Sequence, residues 1–222
     1  MGRGSKVIDL ALLGEALPLL LHSAVTTLLI ALVASAMGLL LGVGLAIAQT
    51  HPSRFIRGLV ALYVGFFRGT PMLVQILFAY YVLPEFGLMI PSLAVAIMAI
   101  GCNSGAYVSQ IVRSGIDAVS KGQCEAASTL GMTPWQIRRY LVLPQAFRLM
   151  LPPLCSEFVT LVKDSSLASV IGVVELSKQA SILRSTTYDA FTIMLCVSCI
   201  YLLLITSLTG LFSLIEKRMR HA

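Results

Sequence analysis

Gly122–Pro144, GQCEAASTLGMTPWQIRRYLVLP, is the longest soluble-looking segment between otherwise apolar runs. Its spacing predicts two short helices, each with its own start signal. Ser120 stands three residues before Gln123, the pattern of a capping box, in which a hydroxyl and an amide side chain satisfy each other's free backbone N–H groups. The helix so opened runs through Glu125, Ala126 and Ala127. Leu130 closes it, and Gly131 follows as the residue best suited to the left-handed conformation of a C-terminal cap. Thr133-Pro134-Trp135-Gln136 repeats the start signal, with threonine as N-cap, proline at the first helical position and glutamine at the third. The expected product is a compact helix–glycine–helix outside the bilayer, carrying Lys121, Arg138 and Arg139, for a partner to grip.

The surrounding chain is unusually apolar. Of its 222 residues 57% are hydrophobic and only 12% charged, with a mean hydropathy of +0.89. Soluble domains carry about a quarter charged residues, so this is an integral membrane protein. The cysteines at 102, 124, 155, 196 and 199 lie mostly inside apolar runs and read as small buried hydrophobes. Cys196 and Cys199 form a CxxC, but without a second pair or a histidine cluster it does not make a metal site. The net charge of +6 is spread over basic residues that flank the apolar runs, which argues against nucleic-acid binding and for the positive-inside bias of membrane proteins. Met1–Glu15 is mixed, and the first apolar run is too long for a signal-peptide core, so no cleavable leader is expected.

An all-α fold of five spans follows, at about 20–48, 69–83, 92–112, 146–170 and 190–215, preceded by an extracytoplasmic segment 1–18 and followed by a basic tail 217–222. In the first span Gly38, Gly42 and Gly44 favour close helix packing. Residues 54–68 form an amphipathic piece ending in Arg68-Gly69-Thr70-Pro71. Thr70–Pro84 is nearly long enough for a tilted span, which lets Arg68 snorkel to the cytoplasmic surface; the competing reading leaves it deep in the membrane, where a charge is costly and rarely idle. In the third span Asn103, Tyr107 and Gln110 fall at i, i+4 and i+7, one polar face that either glues helices together or lines a wet path. The fourth is unusual in carrying Glu157, Lys163 and Asp164. The two acids, seven residues apart, project on nearly the same face with Thr160 between them. Such charges either neutralise one another or serve a substrate, and their cost favours the second. Residues 173–185 are expected to form a helix at the far surface.

Charge bias orients the chain. With the N-terminus outside, Arg54, Arg57, Arg68, Arg113, Lys121, Arg138, Arg139, Arg148, Lys217, Arg218 and Arg220 fall on the inner side, against Arg3, Lys6, Lys178 and Arg184 outside. The loop at 120–144 is therefore cytoplasmic. There is no GxxxxGK[ST] phosphate loop and no credible Ser/His/Asp constellation, since His22, His51 and His221 lie at helix ends or termini. The chain is not expected to be an enzyme. Transport would draw its energy from a partner or, as the alternative, from an ion gradient in the manner of a secondary amino-acid transporter; five spans without an internal repeat argue against the latter.

Glu125-Ala126-Ala127, Gly131 four positions on, and Leu141-x-Leu143-Pro144 resemble the EAA loop of type I ABC importer permeases, and the resemblance covers residues from about 20 to 218. Phe67-Arg68-Gly69-Thr70-Pro71, Asn103-Ser104-Gly105-Ala106-Tyr107 and Lys163-Asp164-Ser165-Ser166-Leu167 are similar to the polar amino-acid branch, the histidine, glutamine, arginine, cystine and opine permeases. Cys124 departs from the family's usual larger residue, and Ser156 from a frequent asparagine. The resemblance implies the MetI-like fold in a bacterial inner membrane, a second permease subunit (a copy or a paralogue), two cytoplasmic ATPase subunits that bind the ATP and magnesium, and an extracytoplasmic amino-acid-binding protein. It makes Glu125, Ala126, Ala127, Gly131 and Pro144 the ATPase-coupling residues. A chamber between the third and fourth spans would hold a polar amino acid, basic or cystine among the options. There Glu157 or Asp164 suits an ammonium group, Lys163 a carboxylate, and Thr160 and Asn103 complete the site.

Overall fold

The computed structural model describes residues 10–221, so the first half of the expected N-terminal segment, 1–9, lies outside the described residues. Nine helices are described: α1 (Leu10–Gln49), α2 (Arg54–Gly69), α3 (Met72–Val82), α4 (Ser92–Asp117), α5 (Lys121–Thr129), α6 (Pro134–Gln136), α7 (Leu143–Asp164), α8 (Leu176–Thr187) and α9 (Ala190–His221). There is no strand among the described residues. A π-helical stretch, Ile137–Val142, welds α6 to α7, and a 3₁₀ turn at Ser165–Ile171 follows α7.

α1 is a single helix of 40 residues that starts ten residues before the expected span. With α4 it makes the most extensive helix pair of the molecule. The two run parallel: Gly38 lies against Ser104, Gly42 against Val108, and Gly101 against Met37. A Cβ on Gly42 would stand 2.5 Å from Val108 Cγ1 and one on Gly38 2.7 Å from Ser104 Cβ, so these glycines let the backbones approach. Gly44, expected to behave alike, faces open space.

The central core joins α1, α3, α4 and α7 through Ile30, Ala34, Ile76, Ala96, Ile100 and Leu161. A second cluster, Leu20, Ala24, Leu176 and Ile193, fastens α8 and α9 to the first half of α1. A third, Ala46, Val112, Val119, Ala146 and Met150, closes the end where α1 and α4 finish and α7 begins. α5 and α6 leave the bundle at that end.

By length and composition α1, α4 and α9 can cross a membrane, and α2–α3, bent by 108° at the Gly69–Pro71 break, adds a fourth crossing if the pair counts as one broken span. α7 is not apolar enough to qualify by itself, because Arg148, Glu157, Lys163, Asp164 and its prolines lower its hydropathy. It nevertheless runs antiparallel along α4, from the Gly115–Met150 contact to the Ser104–Glu157 hydrogen bond. Packing, not lipid affinity, holds it there.

Candidate functional site

The exposed loop has the anatomy its sequence announces, with one correction. Gly131 has φ +81°, and the end of α5 is a paired cap: Met132 N–H bonds Ala127 O at 3.2 Å and Gly131 N–H bonds Ser128 O at 3.0 Å. Thr133 and Gln136 form the reciprocal capping box, Thr133 N–H to Gln136 Oε1 at 2.8 Å and Gln136 N–H to Thr133 Oγ1 at 3.4 Å. The Ser120 capping box does not form. Ser120 makes no side-chain cap bond, because Gln123 Oε1 accepts instead from Gln145 Nε2 of α7 at 3.0 Å. That bond ties the first short helix to the membrane helix rather than to its own start.

Of the loop's key residues, Ala127 is buried, while Glu125, Ala126 and Gly131 are exposed. Beside them Leu130 (83%), Trp135 and Tyr140 (69% each) stand in the open. Large apolar groups gathered on a short, doubly capped element are the composition of a docking surface. Pro144 sits in the first turn of α7 just after the π-helical stretch, whose widened turn includes the bond from Leu143 N–H to Arg138 O. The backbone is thus helical without interruption from Pro134 to Asp164.

Within the bundle the five expected substrate residues fall into three places. Glu157 is half-buried and accepts from Ser104 Oγ at 3.0 Å; Asp164, two turns on, is half-buried on the same side of α7. Thr160 and Lys163 are exposed and line a cavity of about 330 Å³ between α7 and α9, with Ser156, Thr209, Ser213 and Glu216. Lys163 is not locked in an ion-pair network, since the only ion pair among the described residues is Arg113–Asp117 at 3.5 Å. Asn103 is 5% exposed, and its amide donates to Phe67 O at 3.0 Å and to Gln75 Oε1 at 2.9 Å. Both of its N–H groups are spent on holding the α2–α3 break. Gln75 completes that brace by donating to Phe67 O, Thr70 O and Thr70 Oγ1 at 2.9, 3.1 and 2.8 Å.

Sequence reasoning missed two features. Gln75 is a single polar residue in an apolar helix, a signal that asks for a partner the chain could not name. Glu175 is fully buried: Oε1 accepts from Lys178 N–H at 2.7 Å, and Oε2 from Ser177 N–H at 2.9 Å, Tyr201 OH at 3.3 Å and Thr27 Oγ1 at 3.4 Å. It caps α8 and ties that helix to α1 and α9. The helix expected over 173–185 is present as α8, and it is fastened to the bundle through Glu175 and Leu176. Asp189 caps α9 through Thr192 N–H at 3.0 Å, and these hydrogen bonds from Thr192 hold its carboxyl below the usual range.

Residues 38–221 match the model of the family described as the binding-protein-dependent transport system inner membrane component. The glutamine transport system permease protein GlnP of Escherichia coli K12 is 35% identical over 214 residues, 96% of this chain and 98% of that one. The probable amino-acid ABC transporter permease protein YckA of Bacillus subtilis 168 is 36% identical over 208 residues, 93% of this chain and 92% of that one. A crystal structure of an amino acid ABC transporter with histidines superposes with a TM-score of 0.91 at 37% identity, covering 96% of this chain and 99% of that one. With this match of sequence and of fold over nearly its whole length, the chain belongs to the binding-protein-dependent inner membrane components, the permease subunits of type I ABC importers.

Proposed function

We propose that this chain imports a polar L-amino acid, glutamine foremost, handed over by an extracytoplasmic binding protein and moved by alternating access. The observation that carries the reading is mechanical. The exposed loop carries Glu125, Ala126 and Gly131, and its second helix, from Pro134 and Trp135 on, continues without a break in helical backbone into α7, which bears Glu157, Lys163 and Asp164. A short element closed by two caps deforms little, so closure of an ATPase dimer against it turns α7 rather than bending the loop. The ATPase subunits supply hydrolysis and bind the nucleotide and magnesium, and a second permease, copy or paralogue, completes the pathway. The loop faces the cytoplasm of a bacterium and the start of α1 the outside.

Glu157 and Asp164 suit the ammonium of an amino-acid zwitterion: neither is neutralised by an ion pair among the described residues, and Glu157 is aimed by Ser104. Thr160 and Lys163 serve the same passage from the α7–α9 side, and Asn103 positions the break beside it. Glutamine is favoured over a basic side chain by the similarity to GlnP.

The test is reconstitution of the purified permease–ATPase complex in proteoliposomes with its binding protein and radiolabelled L-glutamine. Uptake requires ATP and survives an ionophore, and Gly131→Asp abolishes it while the complex still assembles. Uptake that collapses with the ionophore but survives ATP depletion would make the chain an ion-coupled carrier instead.

A further inference from the structure

Arg68 is the cation that the site above leaves out. It lies in the last turn of α2, and its guanidinium carbon lies 5.3 Å from the centre of the Tyr107 ring on α4. Tyr107 is ten residues before Asp117, where α4 ends, which puts it about 15 Å inside that end at 1.5 Å per residue. Arg68 therefore has not snorkelled to the surface. It is exposed, and apart from the Tyr107 ring its guanidinium has no hydrogen-bond or ion-pair partner among the described residues. A lone cation at membrane depth is expensive unless something of opposite charge visits it.

Its setting is rigid. The carbonyl of Phe67, the neighbouring residue, accepts from both Asn103 and Gln75, and Thr70 on the other side is held by Gln75 and by its own bond to Phe66 O at 2.8 Å. The break thus presents Arg68 from a fixed backbone, as a binding group must be presented. Its position also suits the two acids. Ser104, which aims Glu157, and Tyr107, which carries Arg68, are i, i+3 neighbours on α4, less than one helical turn apart. Towards the loop end the same pair of helices encloses a cavity of about 500 Å³ lined by Gly65, Gln110, Gln49, Arg57 and Arg113. Ala61 and Val64 make part of its wall apolar, and its two charged lining residues, Arg57 and Arg113, are both basic, Arg113 being also paired to Asp117.

We infer that Arg68, rather than Lys163, receives the α-carboxylate of the transported amino acid, and that the basic α2–α4 cavity below it is the route by which that carboxylate leaves. The guanidinium offers a carboxylate two parallel N–H donors, and the Tyr107 face holds the cation in place when the site is empty. Lys163 opens onto a different cavity, against α9. This inference rests on the reading that the chain binds an amino acid.

The experiment is equilibrium binding of radiolabelled L-glutamine to the detergent-purified permease–ATPase complex without its binding protein, in competition with L-glutaminamide, which lacks the carboxylate, and with glutaramic acid, which lacks the ammonium. Wild type prefers L-glutamine over both. Arg68→Met weakens L-glutamine about ten- to hundredfold and brings its affinity level with that of the amide; loss of the acid preference in Lys163→Met and not in Arg68→Met would overturn the inference. Glu157→Gln loses the preference over glutaramic acid instead. If Arg68→Met still prefers the acid over the amide, or only lowers the melting temperature, the inference fails while the transport reading stands. If wild type binds none of the three compounds, the reading on which it rests fails first.

Discussion

Replacing Gly42 by alanine crowds the α1–α4 seam, and Gly44, two residues away in the same helix, is its matched control. Both substitutions gain the same intrinsic helix propensity, up to about 1 kcal/mol. At Gly44 the new methyl meets nothing within 4 Å. At Gly42 it stands 2.5 Å from Val108 Cγ1, 2.6 Å from Val108 Cβ and 3.0 Å from Gly105 O. Carbon atoms pack comfortably at about 3.5–4.0 Å, so the neighbours must retreat by about 1 Å. Val108 Cβ and Gly105 O cannot swing aside as the end of a long side chain could. Overpacking of this kind costs about 1–3 kcal/mol, and that is the expected difference between the variants. The assay is unfolding of the purified protein by increasing SDS, repeated in a Val108→Gly background, where two of the three crowded contacts are gone and most of the Gly42→Ala penalty should vanish as a coupling energy. Equal midpoints for Gly42→Ala and Gly44→Ala, or a penalty untouched by Val108→Gly, would refute the close approach of these helices.

Other perturbations test other joints. Gly131→Ala forces a β-carbon into a backbone at φ +81°, which costs about 1–2 kcal/mol; since that methyl meets nothing, Gly131→Asn, which tolerates the conformation, should keep ATP-driven uptake where alanine loses much of it. Gln75→Leu leaves Phe67 O with one donor fewer and Thr70 O with none from Gln75; it should cost about 1–3 kcal/mol of stability and lower uptake, read by SDS unfolding and proteoliposome transport. The carboxyl of Asp189 is held below the usual range, so its contribution to stability is complete above the pKa of an unfolded aspartate and is lost as pH falls through the lowered value. Asp189→Asn should therefore flatten the acid limb of a melting-temperature profile, and an unchanged limb would contradict the cap.

What could be read without coordinates was whatever short-range chemistry decides. Gly131 and the Thr133–Gln136 box announce themselves, because each is a contract between residues at most a few positions apart. Ser120–Gln123 follows the same rule and fails, since Gln145, 22 residues further along, offers Gln123 a competing donor. Arg68 and Asn103 were visible as polar residues in apolar surroundings. Their relation was not, because it runs through Phe67 O and the bend between α2 and α3, which no periodicity encodes. Glu175 was harder still: four donors from three helices make a buried carboxylate tolerable, and in the chain they are scattered from Thr27 to Tyr201. The split between the Glu157 and Lys163 faces of α7 followed from a helical wheel in principle, but which neighbour each face meets did not.

The π-helical stretch between the loop and α7 has a consequence for phase. A π turn holds one residue more than an α turn can, so it acts as a silent insertion: side chains before Ile137 and after Val142 are offset by about 100° from where one α-helix would set them. A wheel drawn backwards from Glu157 through Pro144 therefore misplaces Trp135. Deleting a single residue between Ile137 and Val142 would convert the stretch to α geometry and leave the exposed loop at nearly its present angle, whereas forcing all six residues into α geometry would turn the loop by about 100°. The angular setting of the loop on α7 is stored in the π geometry that absorbs the surplus residue.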